Sequence, residues 1–200
     1  MLNLFAFHKL RRNHVQPLIA FVTTSLDGYF ADTAGDMSWA HKSDPEWSAF
    51  VSQNASMGGA LLFGRVTYDL MIRYWPTPMA KQQNPTVADG MNSAQKIVFS
   101  RTLSEATWTN TRVVKFDIAG EVHKLKRQSG NGMCILGSGT IITQLAEARL
   151  IDELQIVISP IILGKGKTPF ESLKQRLPLK LLKARSFTNG NVIHYYGLVA

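Results

Sequence analysis

Leu18–Val22 is a continuous apolar run and Ala60–Phe63 reads the same way, both too short to be helices, and Lys96–Ser100, Gly132–Leu136 and Leu154–Ser159 are further short strand-like runs. Such runs are the mark of strands buried on both faces, the condition of a parallel sheet covered by helices. Segments with helical spacing lie between them. Asp44-Pro45-Glu46 opens one, with Asp44 as N-cap and Pro45 at the first helical position. Trp47, Phe50, Val51 and Asn54 continue it until Gly58-Gly59. A short helix is predicted through Val66–Met71, then a Pro-bearing loop from Tyr74 to Pro85. Arg112–Lys115 reads as a strand, Ile118, Val122 and Leu125 mark a helix face, and Thr140–Leu150 a further helix. Near the end, Lys180–Phe187 and Val192–Leu198 flank Asn189-Gly190, a strong hairpin signal. The predicted fold class is α/β, a three-layer sandwich whose mostly parallel central sheet ends in a C-terminal antiparallel hairpin.

A chain of 200 residues suits one domain, read here as 17–200, preceded by an N-terminal extension over 1–16. In that extension Lys9, Arg11 and Arg12 follow the apolar patch rather than precede it, against a signal peptide. No apolar run reaches the ~18–20 residues of a membrane span. The single cysteine, Cys134, cannot form an internal disulfide, so a cytoplasmic location is expected. The net charge of +8 sits at the ends: residues 1–16 hold three basic and no acidic residues, and 161–200 seven basic and one acidic. Basic ends without an aromatic platform favour attraction of a polyanionic small molecule over nucleic acid.

Four stretches could carry chemistry. Gly137-Ser138-Gly139-Thr140 joins a strand to a helix, where glycines admit a close ligand and the helix start offers N–H groups to phosphate. Taken alone, such a turn also serves simply to reverse the chain. Gly64-Arg65-Val66-Thr67-Tyr68 lies at another strand-to-helix junction, at the edge where ligands of open α/β sheets bind. Arg65 there is suited to phosphate, and Ser100-Arg101 adds a second hydroxyl and guanidinium. Gly164-Lys165-Gly166-Lys167-Thr168 ends like a P-loop but has Ile161 where the earlier glycine belongs, which leaves a loop beside a ligand or a plain surface loop. Finally, Asp27 after the first strand and Glu46 in a helix's first turn are candidate proton donors; a turn cap and a helix-dipole residue are the simpler readings. Cys134 and the five histidines show no ligand spacing, so no metal is expected.

The ordered set Met37-Ser38-Trp39, Glu46-Trp47-Ser48-Ala49-Phe50, Gly64–Tyr68, Lys96–Ser100 and Gly137-Ser138-Gly139 resembles dihydrofolate reductase. Ser25-Leu26-Asp27-Gly28, Ala148–Leu154 and Pro160–Gly164 resemble the reductase domain of riboflavin biosynthesis. The resemblance implies an oxidoreductase that passes hydride from NADPH to a pterin-like or riboflavin-precursor small molecule, often as a homodimer. It implies cofactor contacts from Gly64, Arg65, Thr67, Ser100, Arg101, Gly137, Ser138, Gly139 and Thr140. Trp39, Phe50, Tyr68, Leu163 and Gly164 would face substrate, and Glu46 would fall at the folate enzyme's acid position. The rival expectations are an NADP-binding protein without turnover and a nucleic-acid binder.

Overall fold

A computed structural model describes residues 15–40, 44–56 and 58–199. The chain forms β1 (Leu18–Ser25), a 3-10 turn (Ser38–Ala40), α1 (Pro45–Ser56), β2 (Ala60–Gly64), α2 (Arg65–Tyr74), α3 (Pro78–Gln83), α4 (Pro85–Ser93), β3 (Lys96–Phe99) and β4 (Thr111–Val114). It continues with α5 (Ile118–Lys126), β5 (Met133–Leu136), α6 (Gly139–Glu147), β6 (Glu153–Ser159), β7 (Leu179–Ser186) and β8 (Val192–Leu198). The eight strands form one sheet in the order β4-β3-β2-β5-β1-β6-β8-β7. β8 pairs antiparallel with both β6 and β7, and every other pairing is parallel. The α/β class, the parallel centre and the C-terminal antiparallel hairpin expected from the sequence are therefore all present.

Strand alternation distributes the core to two sides. Leu18, Ala20 and Val22 of β1 join Leu62, Ile135 and Leu154 beneath α5 and α6, which contribute Val122, Leu125, Ile142 and Leu145. On the opposite side Phe63 and Val98 pack with Tyr68, Val87 and Met91, while Val157, Ile193 and Tyr195 pack with Phe50 of α1. The result is helix, sheet and helix in three layers.

Two local expectations are corrected. The stretch Tyr74–Pro85, read as a loop, contains α3, and α4 opens on Pro85. Both prolines sit where a helix needs no N–H, and Thr77 caps the first by accepting a bond from the Ala80 amide at 3.2 Å. The hairpin turn is wider than Asn189-Gly190 alone. Phe187 donates to Asn191 O at 2.9 Å and only Gly190 adopts positive φ, so Thr188–Gly190 form the tip.

Lys96 is fully buried at the start of β3. Its Nζ donates to the carbonyls of Met91 (2.9 Å), Asn92 (3.0 Å) and Ala94 (2.7 Å), closing the end of α4, and lies 4.6 Å from the centre of the Trp108 ring. Burial pushes its ammonium down to about 8, which still leaves it mostly protonated and donating at neutral pH. Lys96→Met removes all three donors and strands the carbonyls. It should lower unfolding free energy by about 2 kcal/mol or more, measured by urea denaturation; an unchanged midpoint would show that the ammonium is not needed to close α4.

Candidate functional site

Parallel pairing collects the carboxyl ends of β1 to β6 on one edge, and two helix N-termini open there. β1 pairs with β5 only from Leu18 to Phe21 but with β6 as far as Ser25. Val22–Ser25 therefore overhang β5, and a crevice opens between them and the turn that follows Leu136. This is where chain connections diverge to either side of the sheet, the usual ligand position in open α/β folds.

The cofactor-side turns flank that crevice. Ser138 adopts a left-handed φ of 60°, an unusual conformation for a residue with a side chain. Its Oγ accepts the Gly64 amide at 2.7 Å and shares a hydrogen bond of 2.7 Å with Thr67 Oγ1. One hydroxyl thus joins the β2–α2 turn to the β5–α6 turn. A Cβ on Gly64 would lie 3.0 Å from Ser138 Oγ, tight enough to press on this shared hydroxyl. Gly137 also adopts positive φ, and a Cβ on Gly139 would meet Pro169 O at 2.8 Å. Each helix start leaves N–H groups that the helix does not satisfy, with the positive end of its dipole at the edge.

The other predicted residues divide clearly. Arg65, half-buried, gives its Nε–H to Asp69 Oδ2 at 2.7 Å. Ser100 is buried, and its Oγ accepts from the amides of Thr102 (3.3 Å) and Leu103 (3.0 Å); Arg101 beside it is exposed, as is Thr140. Trp39 lies on the 3-10 turn, its Nε1 donating to Asp36 O at 3.3 Å. Phe50 and Tyr68 are core residues rather than pocket walls. Phe50 packs against Trp47 and Phe187 with ring centroids 5.2 and 5.0 Å away, and Tyr68 OH accepts the amides of Thr107 and Trp108 at 3.2 Å.

Both acidic candidates are held as anions. Asp27 accepts from Ser25 Oγ (2.7 Å) and from the amides of Leu163 (3.1 Å) and Gly164 (2.7 Å), tying the loop after β1 to the loop after β6. The Ser25 bond leads the backbone bonds in holding its carboxyl below the ordinary range. Glu46 accepts from Arg185 (2.8 Å) and from the Thr188 amide and hydroxyl (both 3.0 Å), with the Arg185 bond the largest cause of its lowered pKa. It fastens α1 to the β7–β8 hairpin. Sequence reading missed these roles because the partners lie 136 to 142 residues away. It also missed Ser159 and Asn191, buried polar residues at this edge whose one signal was a polar residue bordering an apolar run. Among the described residues no group of three or more His, Cys, Asp or Glu could hold a metal ion, and no helix is long and apolar enough to cross a membrane.

A depressed carboxyl pKa means that the unfolded chain binds the proton more readily. The clamp's contribution is complete above the ordinary carboxylate range and fades as pH falls through and below it. The Asp27 clamp predicts amide exchange directly. Asp27→Ala should speed exchange at Leu163 and Gly164 at least about tenfold at neutral pH, and the wild type should lose the same protection on acidification. Unchanged protection in the variant would refute the clamp.

Residues 16–193 match the family described as the RibD C-terminal domain. The chain is 30% identical over 177 residues to the uncharacterized protein YyaP of Bacillus subtilis, covering 88% of this chain and 91% of that one. It superposes with a TM-score of 0.70 and 24% identity on a Shewanella sp. PV-4 protein whose name places it in riboflavin biosynthesis, covering 92% and 99% of the two chains. Dihydrofolate reductase from Enterococcus faecalis, solved with NADP(H), superposes with a TM-score of 0.61 at 14% identity, covering 92% and 97%.

Proposed function

Since the chain belongs to the RibD C-terminal domain family, we propose that it is an NADPH-dependent reductase acting on a pterin-like or riboflavin-precursor small molecule. The observation that carries this reading is the pair of strand-to-helix turns joined through Ser138 at the crevice beside β1. Two helix N-termini and the Arg65 guanidinium suit a dinucleotide's phosphates, with Ser138, Gly139 and Thr140 on the β5 side and Thr67 on the β2 side. Arg65 and Arg101 are assigned to a 2′-phosphate, which selects NADPH over NADH. NADPH, when bound, would supply hydride from its dihydronicotinamide ring. Residues at the crevice would orient the acceptor, with Leu163 and Gly164 presented by the Asp27 clamp.

Glu46 and Asp27, as ionised anchors, are unsuited to donate a proton at neutral pH, so the proton is assigned to water at the crevice. The same observation favours a second reading, a protein that binds NADPH without turnover. NADPH oxidation followed with dihydrofolate and with the riboflavin-pathway pyrimidine, side by side, separates the two. Fluorescence titration should show NADPH bound at least about tenfold more tightly than NADH, and Arg65→Ala should reduce that preference by roughly tenfold. Equal loss for both cofactors would refute the 2′-phosphate assignment, and failure to bind either would refute the reductase reading.

We also propose that the protein is a homodimer through the outer strand β7. Leu181 and Leu182 are about half exposed there, and Leu179 stands beside them on an edge that no further strand covers among the described residues. An edge strand with apolar side chains pairs readily with its own copy about a two-fold axis. Light scattering should give twice the chain mass for the wild type and the monomer mass for Leu182→Glu; a monomeric wild type would exclude the dimer.

A further inference from the structure

We propose that Ser159 and Asn191 form a subsite for the lactam edge of the substrate ring, a flat N–H donor beside a C=O acceptor; this rests on the reductase reading above. Asn191 is 1% exposed and Ser159 2%. The Asn191 backbone is fully engaged: its amide donates to Asn189 Oδ1 at 3.0 Å, and its carbonyl accepts the Phe187 amide at 2.9 Å. Its side chain is not engaged. Nδ2 and Oδ1 are both buried without a partner, and so is Ser159 Oγ. Native proteins leave few such atoms, because a buried amide without hydrogen bonds opposes folding.

The residues of these idle atoms stand at facing positions where the strand register is continued by one step. The antiparallel register that pairs Ile158 with Val192 places Ser159 opposite Asn191 one step further on. On its other side Ser159 pairs with Ser25, the last residue of the β1 overhang. Alternation puts Ser159 and Asn191 on the α1 side of the sheet, the side on which Val157 and Ile193 pack with Trp47, Phe50 and Phe187. At the start of α1, Asp44 Oδ1 accepts the Trp47 amide at 2.9 Å while Oδ2 is enclosed and unpartnered.

The chemistry of the guest follows. A carboxamide offers one donor and one acceptor in a plane, matching a cyclic amide, and a hydroxyl adds either role. Glu46 and Arg185 pair with each other, and the Asp44 carboxylate adds negative rather than positive charge, so nothing here calls for a phosphate. Pyrimidinones and pterins share this lactam edge.

The opposite, amino end of the sheet holds a cleft of about 900 Å³, and two of its lining side chains, Gln16 and Asn92, are already answered. Gln16 Nε2 donates to Leu125 O and Gln128 O, and its Oε1 accepts the Gly132 amide; Asn92 Nδ2 donates to Trp75 O, and its Oδ1 accepts Trp108 Nε1. Among the described residues, four of the six buried side-chain atoms without a partner, on Asp44, Ser159 and Asn191, lie at the carboxyl edge; the other two are Asn54 Oδ1 and the Tyr195 hydroxyl.

Ligand-detected NMR with uracil, pterin and 1,3-dimethyluracil, with and without NADPH, tests the proposal and registers cofactor binding separately. The wild type should bind uracil or pterin at least about tenfold more tightly than 1,3-dimethyluracil, which lacks the N–H donors. Asn191→Leu should abolish that preference while NADPH affinity stays within about twofold. If circular dichroism shows Asn191→Leu misfolded, Ser159→Ala carries the test with a loss of at least about threefold. Equal binding of uracil and its dimethyl analogue, no effect of a folded variant, or no binding of either lactam under both conditions would overturn the subsite. A crystal structure soaked with pterin that shows only ordered water against Asn191 would do the same.

Discussion

The strand β1 sets the terms for the rest of the molecule. It lies between β5 and β6 and is parallel to both, and it runs four residues beyond its pairing with β5. Parallel pairing cannot be made with a short turn, so the chain must cross over through helices, and these cover both faces. The same geometry gathers loops, helix starts and their unsatisfied N–H groups at one edge. Because β1 ends beside β6 rather than β5, that edge is split instead of closed. The buried apolar β1 side chains Leu18, Ala20 and Val22 hold the strand in this register, since a slip of one residue would turn them to the other face.

Two polar devices then stiffen the split edge. Ser138 binds the turns on one side of the crevice to each other, and Asp27 binds the loops on the other. Neither requires a charged partner across the crevice, so the space between stays open. Glu46 acts in the same way a layer further out, holding α1 against the hairpin through Arg185 and Thr188. An ion pair between partly exposed groups contributes little to stability by itself; its worth here is positional.

How much of this could be read from the sequence depended on range. Unbroken apolar runs announced buried strands, and Asp44-Pro45 announced α1, because those signals are local. Pro78 and Pro85 misled because proline breaks a helix interior but begins a helix well, and only the downstream residues tell the two apart. Gly137–Thr140 and Gly64–Thr67 were visible as turns facing one edge. Their union through Ser138 was not, since a serine in a turn gives no sign of accepting an amide 74 positions earlier. Lys96 was hidden for a similar reason: a lysine opening an apolar run looks like the polar rim of a strand, while the structure folds its ammonium inward onto α4. Glu46 and Asp27 were singled out as candidate proton donors, and spacing could not distinguish an acid from an anchor.

The overhang of β1 has a further consequence. Its two banks are made by separate stretches of chain, residues 64–67 and 137–140 on one side, and α1, the β6 end and the terminal hairpin on the other. Drift in the hairpin can therefore reshape one bank while the opposite bank keeps its frame. A lineage built on this plan is free to change what it accepts without rebuilding what it holds in common.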